Sequence, residues 1–538
     1  MHTHSLFLLA MASDTWVYAL LLLCVSVLYV WLNDAKLKRL PPEAAALSPI
    51  RWSEQFVRDT HSEIAQIEGA SLLTERDLPP KTGRRYVVVG GAGFLGGWIV
   101  LHLLKRGEDP RRIRVLDVRR PVRPDLCEGP AKDVDFVQVD ISDAGAVDEA
   151  FKKPWPCLSS ENAKDPLPGL TVFHTVAIIR FFERHPELMH SSERVNTKGT
   201  QHVLDAACRA GASVLVYSSS GSVVVNSTRF WLWPWQKEPK LFTQVVTDDD
   251  NLLPKRHEQF FSNYAASKMQ AETLVRAADH RSSGSGQLRT GCIRPGNGIY
   301  GAGGDLLIDR MLKDKVHPTW ISTVLQSFIY VENCSLAHLC YEQRLLELQE
   351  EGSPNPDIGG QAFCVTDAGP PCTYSDVYDA VTLLSNGGVW YIHLSPTFML
   401  GFAHLVEWYH VTQQLLSLRK HFFARLMPRI TSDLVFMQPS MFSLTLVHLV
   451  FDDSRARLPT EKGGLGYKGP ITTVQGTSKS VVEHLRGDGK RISRTYGDAE
   501  DVSRPGAGFD VTAHESAIGE VVEKIGSGFT LDATKTAN

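Results

Sequence analysis

No sign of charge dominates this chain of 538 residues: 56 lysines and arginines stand against 60 aspartates and glutamates, for a formal net charge of −4. Basic residues are scattered rather than gathered into runs, so there is no field to hold nucleic acid, which is set aside as a partner. Cys-x-x-Cys is absent, and no histidines cluster at zinc spacing. The nine cysteines, Cys24, Cys127, Cys157, Cys208, Cys292, Cys334, Cys340, Cys364 and Cys372, are odd in number and dispersed. They read as free thiols facing a reducing compartment, with no disulfide framework and no metal site. No internal repeat stands out. Disorder does not describe most of the chain, because 43% hydrophobic and 22% charged residues is globular composition, enough for two or three domains.

What is present begins with one uncharged apolar run, "TWVYALLLLCVSVLYVWL" at 15–32. As a helix it reaches about 27 Å, the span of a thin bilayer such as that of the endoplasmic reticulum. Lys36, Lys38 and Arg39 follow it, whereas only His2, His4 and Asp14 precede it. The positive-inside rule then places everything after residue 35 in the cytoplasm. A cleaved signal peptide is the competing reading, but the basic n-region and a nearby small-residue cleavage site are missing. The expectation is a single-pass anchor in the endoplasmic reticulum membrane.

The expected domain organisation is an anchor at 1–35, a polar, proline-punctuated linker with a short helix at 36–83, and a dinucleotide-binding domain at 84–300. A substrate region at 301–485 interleaves with the last elements of that domain, and a disordered tail at 486–538 carries one weak helix near 513–525. Apolar strand runs occur at "RYVVVG", "IRVLDV" (113–118), "VDFVQVD" (134–140), "LTVFHTVA" (170–177), "SVLVYSSS" (213–220) and "LRTGCIRP" (288–295). Helical patterns such as "FLGGWIVLHLLKRG" and 191–211 separate them. Repeated βαβ units predict an α/β fold, a doubly wound parallel sheet of Rossmann type. Farther on, 389–409 and 436–451 are apolar stretches broken by Pro396 and Pro439, read as core or substrate-tunnel helices, with a second membrane contact as the alternative.

Between the first strand and helix, "VVVGGAGFLGG" sets Gly90, Gly93 and Gly96 three apart. Such a turn needs glycine where φ is positive and where a pyrophosphate approaches the backbone, and the helix N-terminus supplies N–H groups. Asp117 ends the next strand about twenty residues later, where a ligand for adenosine ribose hydroxyls belongs. Its charge favours NAD over NADP, although Arg119, Arg120 and Arg123 just beyond it offer a clamp for a 2′-phosphate. Farther along, "SNYAASK" (262–268) puts Tyr264 and Lys268 on one face of a helix.

The G-x-x-G-x-x-G spacing resembles that of the extended short-chain dehydrogenase/reductases. "VD" before Ile141, "VFHTVA", "VNTKGT" (195–200), "VYSSSG" and "YAASKMQAE" (264–272) follow in that family's order. "RPGNGIYGAGGD" (294–305), "FIYVENCSLAHL" (328–339) and "GGLGYKGP" (463–470) resemble its 3β-hydroxysteroid dehydrogenase/isomerase branch, which includes sterol 4α-carboxylate 3-dehydrogenases. The resemblance covers about 85–485. It implies cofactor contacts at Gly90, Gly93, Phe94, Leu95, Gly96, Asp117, Asp140 and Ile141, and catalytic roles for Ser220, Tyr264, Lys268 and Asn196, with Tyr264 and Lys268 also reaching the cofactor.

Two departures stand out. Val89 replaces the family's usual threonine, a packing position. The stretch from Ser220 to Tyr264 is long and holds "WLWPWQKEP" (231–239), read as a substrate lid, an interfacial anchor or a buried plug.

In the chemistry so implied, Tyr264 takes the proton of a secondary alcohol while hydride passes to the nicotinamide, and Ser220 bonds the substrate oxygen. A tyrosine of ordinary pKa, about 10, is scarcely ionised at neutral pH. Lys268 and the cationic nicotinamide are therefore expected to lower it, and Asn196 to support the site through its helix. The expected substrate is a membrane-dissolved sterol or triterpenoid, oxidised at its 3β-hydroxyl with decarboxylation at C4 when a 4-carboxylate is present. The alternatives are a Δ5-isomerase or specialised-terpenoid dehydrogenase, a sugar-nucleotide epimerase or reductase, and a non-catalytic NAD-sensing protein. A homodimer or a complex with other sterol enzymes is the expected assembly.

Overall fold

The computed structural model describes residues 2–487 apart from 68, 70, 157–167, 306, 351 and 431. The expected tail helix near 513–525 lies outside the described residues. The first helix, α1 (His2–Leu37), is longer than the apolar run that predicted it. From Trp16 it belongs to the one described segment long and apolar enough to cross a membrane, with a mean hydropathy of 2.0. Its last turn leaves that regime: Asn33 and Leu37 are buried against the rest of the protein.

Seven strands form the central sheet: β1 (Arg85–Val89), β2 (Ile113–Asp117), β3 (Asp135–Gln138), β4 (Leu170–His174), β5 (Ala212–Ser218), β6 (Arg289–Pro295) and β7 (Ala362–Val365). Their order is β7-β6-β5-β4-β1-β2-β3, with every pair parallel. In register, Val87 faces Arg114 of β2 and Val172 of β4. Both faces are covered, as parallel sheets require. Val88 packs in one core with Trp98 and Leu103 of α2 (Phe94–Lys105); Val87 and Val89 pack in the other with Val203 of α3 (Thr200–Arg209) and Val275 of α4 (Asn263–Ala277). Tyr341 of α5 (Val331–Glu347) joins the first core. The strand order reverses between β1 and β4, and that switch point opens a crevice at the strands' carboxyl ends. All six predicted strands are present; β7 is an addition from the substrate region.

The substrate region is stitched to the insertion before Tyr264. A four-stranded sheet runs Cys372–Thr373, Leu325–Gln326, His448–Phe451, Thr243–Val246, so the insertion and the substrate region share its ladder. The apolar stretch 436–451 is core, as read, but only in part helical: helix Pro439–Thr445 leads into the buried strand His448–Phe451. The stretch at 389–409 departs further. It opens as the strand Trp390–His393 and continues as α6 (Pro396–Leu418), one face of which is buried while the other is exposed.

Residues 36–83, expected to be a linker, instead form a packed strap. Helix Glu54–Ala65 buries Val57 and Ile64, and Leu73 and Leu78 enter the main core. Glu332, itself buried, accepts hydrogen bonds from the Leu72 N–H at 2.8 Å and the Ser71 hydroxyl at 2.5 Å. A polar composition concealed this, because the tie is made to a residue some 260 positions away.

Candidate active site

The crevice is floored by the glycine turn. Gly90 takes φ +89°, and a Cβ there would lie 2.6 Å from the Thr175 Oγ1 atom. At Gly96 a Cβ would lie 2.1 Å from the Gly90 carbonyl oxygen. Both positions therefore exclude any side chain, leaving backbone exposed at the head of α2. Gly93 is the N-cap and makes no side-chain cap, so the first N–H groups of α2 are open to an anion. Phe94 is half-buried beside them, and Leu95 enters the core. Val89 is wholly buried, consistent with a packing role; the hydroxyl beside Gly90 comes from Thr175, which donates to the Val89 carbonyl at 3.0 Å.

Asp117 closes one end of this cradle. Its carboxylate accepts from the Ala92 N–H at 3.1 Å and the Arg119 N–H at 3.3 Å, which fixes it at the tip of β2 beside the turn. Asp140 is exposed and accepts from the Ser142 N–H at 2.8 Å. Ile141 is buried, with its side chain against Gly199. Arg123 is engaged elsewhere: it pairs with Asp125 at 2.6 Å and lies over the Trp98 ring. Arg120 lies over Phe136.

At the far side of the switch point, β5 delivers Ser220 and the first turn of α4 delivers Tyr264. Ser262 caps α4 by accepting from the Ala265 N–H, which sets where the helix starts and so where Tyr264 stands. Tyr264 lies beside Ser220, whose Oγ is hydrogen-bonded to the Ser222 hydroxyl at 2.7 Å. Burial pushes the Tyr264 phenol up to about 12, and the neighbouring Ser220 hydroxyl opposes that rise.

Lys268 lies one turn along α4. Its ammonium donates to the Ser218 carbonyl at 2.6 Å and sits 4.2 Å from the centre of the Tyr217 ring. Burial pushes it down to about 7. Lys268 is itself desolvated at the strand end.

Asn196 contacts α4 directly. It lies in a π-helical turn, Arg194–Gly199, of the kind that concentrates at functional sites. Its side chain accepts from the Ile178 N–H at 2.8 Å and donates to the Ile178 carbonyl at 3.0 Å and to Ser267 Oγ at 2.9 Å. The loop after β4 and the helix carrying Tyr264 are thereby clamped together.

Sequence reading missed the layer beneath. Glu272, fully buried, accepts from Ser219 Oγ at 2.5 Å and pairs with Arg294 at 2.5 Å, and His338 bonds Ser218 Oγ at 2.6 Å. The signal for Glu272 was its place in "YAASKMQAE": Tyr264, Lys268 and Glu272 are spaced by four along one helix face.

Over residues 87–389 the sequence matches the 3-beta hydroxysteroid dehydrogenase/isomerase family. The chain belongs to that family. Relatives within reach include the 3 beta-hydroxysteroid dehydrogenase/Delta 5→4-isomerase of vaccinia virus (strain Ankara), 28% identical over 300 residues, which are 54% of this chain and 73% of that one. The 3beta-hydroxysteroid-dehydrogenase/decarboxylase isoform 2 of Arabidopsis thaliana is 26% identical over 419 residues, covering 74% of this chain and 62% of that one. Among solved structures, an epimerase from Methanothermobacter thermautotrophicus shares the fold, with a TM-score of 0.50 and 15% identity across 77% of this chain and 96% of its own. Members of the 3-beta hydroxysteroid dehydrogenase/isomerase family are oxidoreductases that use NAD(P), and the cradle of Gly90, Gly96 and Asp117 fits a dinucleotide.

Proposed function

We propose that this protein is a membrane-bound dehydrogenase that oxidises the 3β-hydroxyl of a sterol or related triterpenoid, with a 4-carboxysterol as the substrate that then loses CO₂ from C4. The observation that carries the reading is the Ser220–Tyr264 pair at the sheet's switch point, opposite the glycine cradle. Ser220 orients the alcohol oxygen and Tyr264 takes its proton. Lys268, held by the Ser218 carbonyl, is assigned to the nicotinamide ribose, and Asn196, bonded to Ser267, is assigned to hold α4 so that the tyrosine keeps its position. A nicotinamide bound in the crevice supplies the hydride acceptor. Asp117 favours NAD, since its charge opposes a 2′-phosphate while Arg123 is committed to Asp125.

With a 4-carboxylate present, the new C3 carbonyl lies β to it. The C4–carboxylate bond then breaks with its electrons received as an enolate, and no further residue or metal is required. The match to the plant dehydrogenase/decarboxylase, which extends well past β7, supports this substrate class. The viral relative favours a second reading in which Δ5 isomerisation follows oxidation.

One panel separates these readings: detergent-solubilised protein with NAD or NADP and 3β-hydroxysterols that bear or lack a 4-carboxylate. NADH formation with release of CO₂ is expected only from the carboxylated sterols. Oxidation of a Δ5-3β-hydroxysterol to a conjugated enone, without CO₂ release, overturns the decarboxylating reading.

The same reading takes α1 as a single span in the endoplasmic reticulum membrane with the domain in the cytoplasm. Residues 84–300 are assigned to the cofactor and 301–485 to the sterol site. Topology has its own marker in the Asn226-Ser-Thr sequon, where Asn226 is partly exposed. It is expected to stay unglycosylated; an endoglycosidase-sensitive mass shift lost in Asn226→Gln reverses the orientation.

A further inference from the structure

Residues 178–185, in the loop that follows β4, lie against the head of the helix that carries Tyr264. Asn263, the first residue of α4, donates its N–H to the Glu183 carbonyl at 2.7 Å and its side-chain amide to the His185 carbonyl at 2.9 Å. The first N–H groups of a helix have no partner within it. Here one of them is taken by this loop, so a shift of the loop moves the turn that bears Tyr264. Asn196 grips the other end of the same loop through Ile178.

The loop is also clamped to α6. The Glu183 carboxylate, in a residue only 2% exposed, accepts from the Arg180 guanidinium at 2.5 Å, and His410 Nε2 of α6 lies 3.1 Å from it. Burial alone would raise the Glu183 carboxyl; Arg180 and His410 hold it below the usual range, so it stays ionised and accepts from both. The Phe182 ring meets the His410 ring edge-on at 5.8 Å. Its carbonyl accepts from Ser440 Oγ at 2.8 Å. One residue past Glu183, Arg184 pairs with Glu407 through two hydrogen bonds of 2.6 and 2.7 Å.

These ties leave α6 with two unlike faces. His410 is buried with Ala403 and Val406, at spacings of three and four, whereas Phe398, Leu405 and Trp408 form an outward stripe 66–67% exposed. The two ion pairs are unlike as well. Arg184 has 41% of its side chain exposed, and an exposed pair contributes little. Glu183 and His410 are enclosed, where a polar group that loses its partner must move or be left desolvated. From His410 the route to the catalytic helix is short: its ring to the Glu183 side chain, then the Glu183 carbonyl to the Asn263 N–H.

We propose that Glu183 and His410 are positioning residues for the dehydrogenase reaction. From α6, in the substrate region, they fix the head of α4 and with it the place of the Tyr264 hydroxyl against the alcohol. The proposal rests on Tyr264 being the proton acceptor proposed above. A displacement of about 1 Å caused far from the chemistry can cost about 10²-fold in rate.

The test uses the detergent-solubilised full chain with whichever 3β-hydroxysterol it oxidises. His410→Leu is expected to lower kcat by about 10- to 100-fold, while KM for sterol and for NAD stays within about threefold of native. His410→Gln, whose amide donates to Glu183 as the ring does, is expected to recover most of that loss. The deciding measurement is a double-mutant cycle with Tyr264→Phe. If His410 acts through the tyrosine, His410→Leu takes nothing further from the residual turnover of Tyr264→Phe. A loss that multiplies with that of Tyr264→Phe overturns the proposal, as does a kcat for His410→Leu within twofold of native. A fall in kcat that follows a fall in thermal midpoint and is not recovered by His410→Gln makes the pair merely structural, and so overturns it too. Should His410→Leu fail to fold, the same cycle run with the near-isosteric Glu183→Gln decides. Full turnover in Tyr264→Phe alone removes the reading beneath the proposal and the proposal with it, whereas the other failures leave that reading standing.

Discussion

The crevice around Tyr264 and the surface of α6 are opposites. In the crevice, groups that water normally holds are buried: Lys268, Asn196 and Glu272 are all almost fully enclosed. On α6, groups that water normally excludes are exposed. Proteins bury polar side chains only with partners and expose large apolar patches only with a purpose. The buried polar groups here meet partners within the fold, so the protein itself completes that region. Among the described residues the α6 stripe has no such partner. Chemistry is preorganised in the one place, and the other is left open.

The contrast is tested most strongly at Tyr264. Tyr264→Phe keeps the ring's packing and removes the hydroxyl beside Ser220. Turnover is expected to fall by about 10²- to 10⁴-fold, the range of a lost proton-transfer group, while NAD affinity measured by titration calorimetry stays within a factor of two to three of native. Retained turnover would mean that this pair is structural, like the layer beneath it. A smaller effect is expected at the cradle. Gly96→Ala drives a Cβ into the Gly90 carbonyl, which as backbone has little room to yield. NAD affinity should drop by roughly tenfold or more, with about 1–3 kcal/mol lost in stability. A thermal shift on adding NAD that equals the native shift would show that the turn is not the dinucleotide's seat.

How much of this could be read beforehand follows from range. Buried parallel strands are continuous apolar runs, which is why "RYVVVG" and "LTVFHTVA" announced β1 and β4. The site was readable where its residues come in a fixed order with local spacing, as with Gly90, Gly93 and Gly96 or Tyr264 and Lys268. It was unreadable where the partner lies far along the chain. Nothing local to Glu272 points to Arg294, and nothing in the polar stretch around Ser71 points to Glu332. Nothing local to Lys268 points to its partner, the Ser218 carbonyl, which belongs to another element. For α6 the obstacle differs: both faces are apolar, so periodicity cannot say which one the fold covers.

A further prediction sharpens the buried side of the contrast. Lys268 has a folded pKa pushed down to about 7 by burial, against about 10.4 for a free lysine. Between those values the unfolded chain binds more protons at this site than the native one, so its contribution makes the unfolding free energy rise as pH increases. The cleanest window is about pH 7 to 8, before most unfolded-state cysteines and tyrosines titrate. Denaturant titrations across that window are expected to show native stability climbing relative to Lys268→Met, by up to about 1.4 kcal/mol per pH unit. Parallel curves would show that the lysine stays charged in the native protein, held by contacts stronger than the Ser218 carbonyl provides.

The smallest effect belongs to the exposed side. Leu405→Gln changes a side chain that is 66% exposed and leaves the buried neighbours Ala403 and Val406 untouched. In detergent micelles, unfolding free energy is expected to stay within about 0.5 kcal/mol of native, as for surface positions generally, and NAD-dependent turnover to remain unchanged. A loss of 2 kcal/mol or more, the scale of an emptied core position, would mean that Leu405 has a protein partner in the working enzyme. The exposed stripe would then be an unfinished core, and the distinction between a region completed within the fold and one left open would fall at its second term.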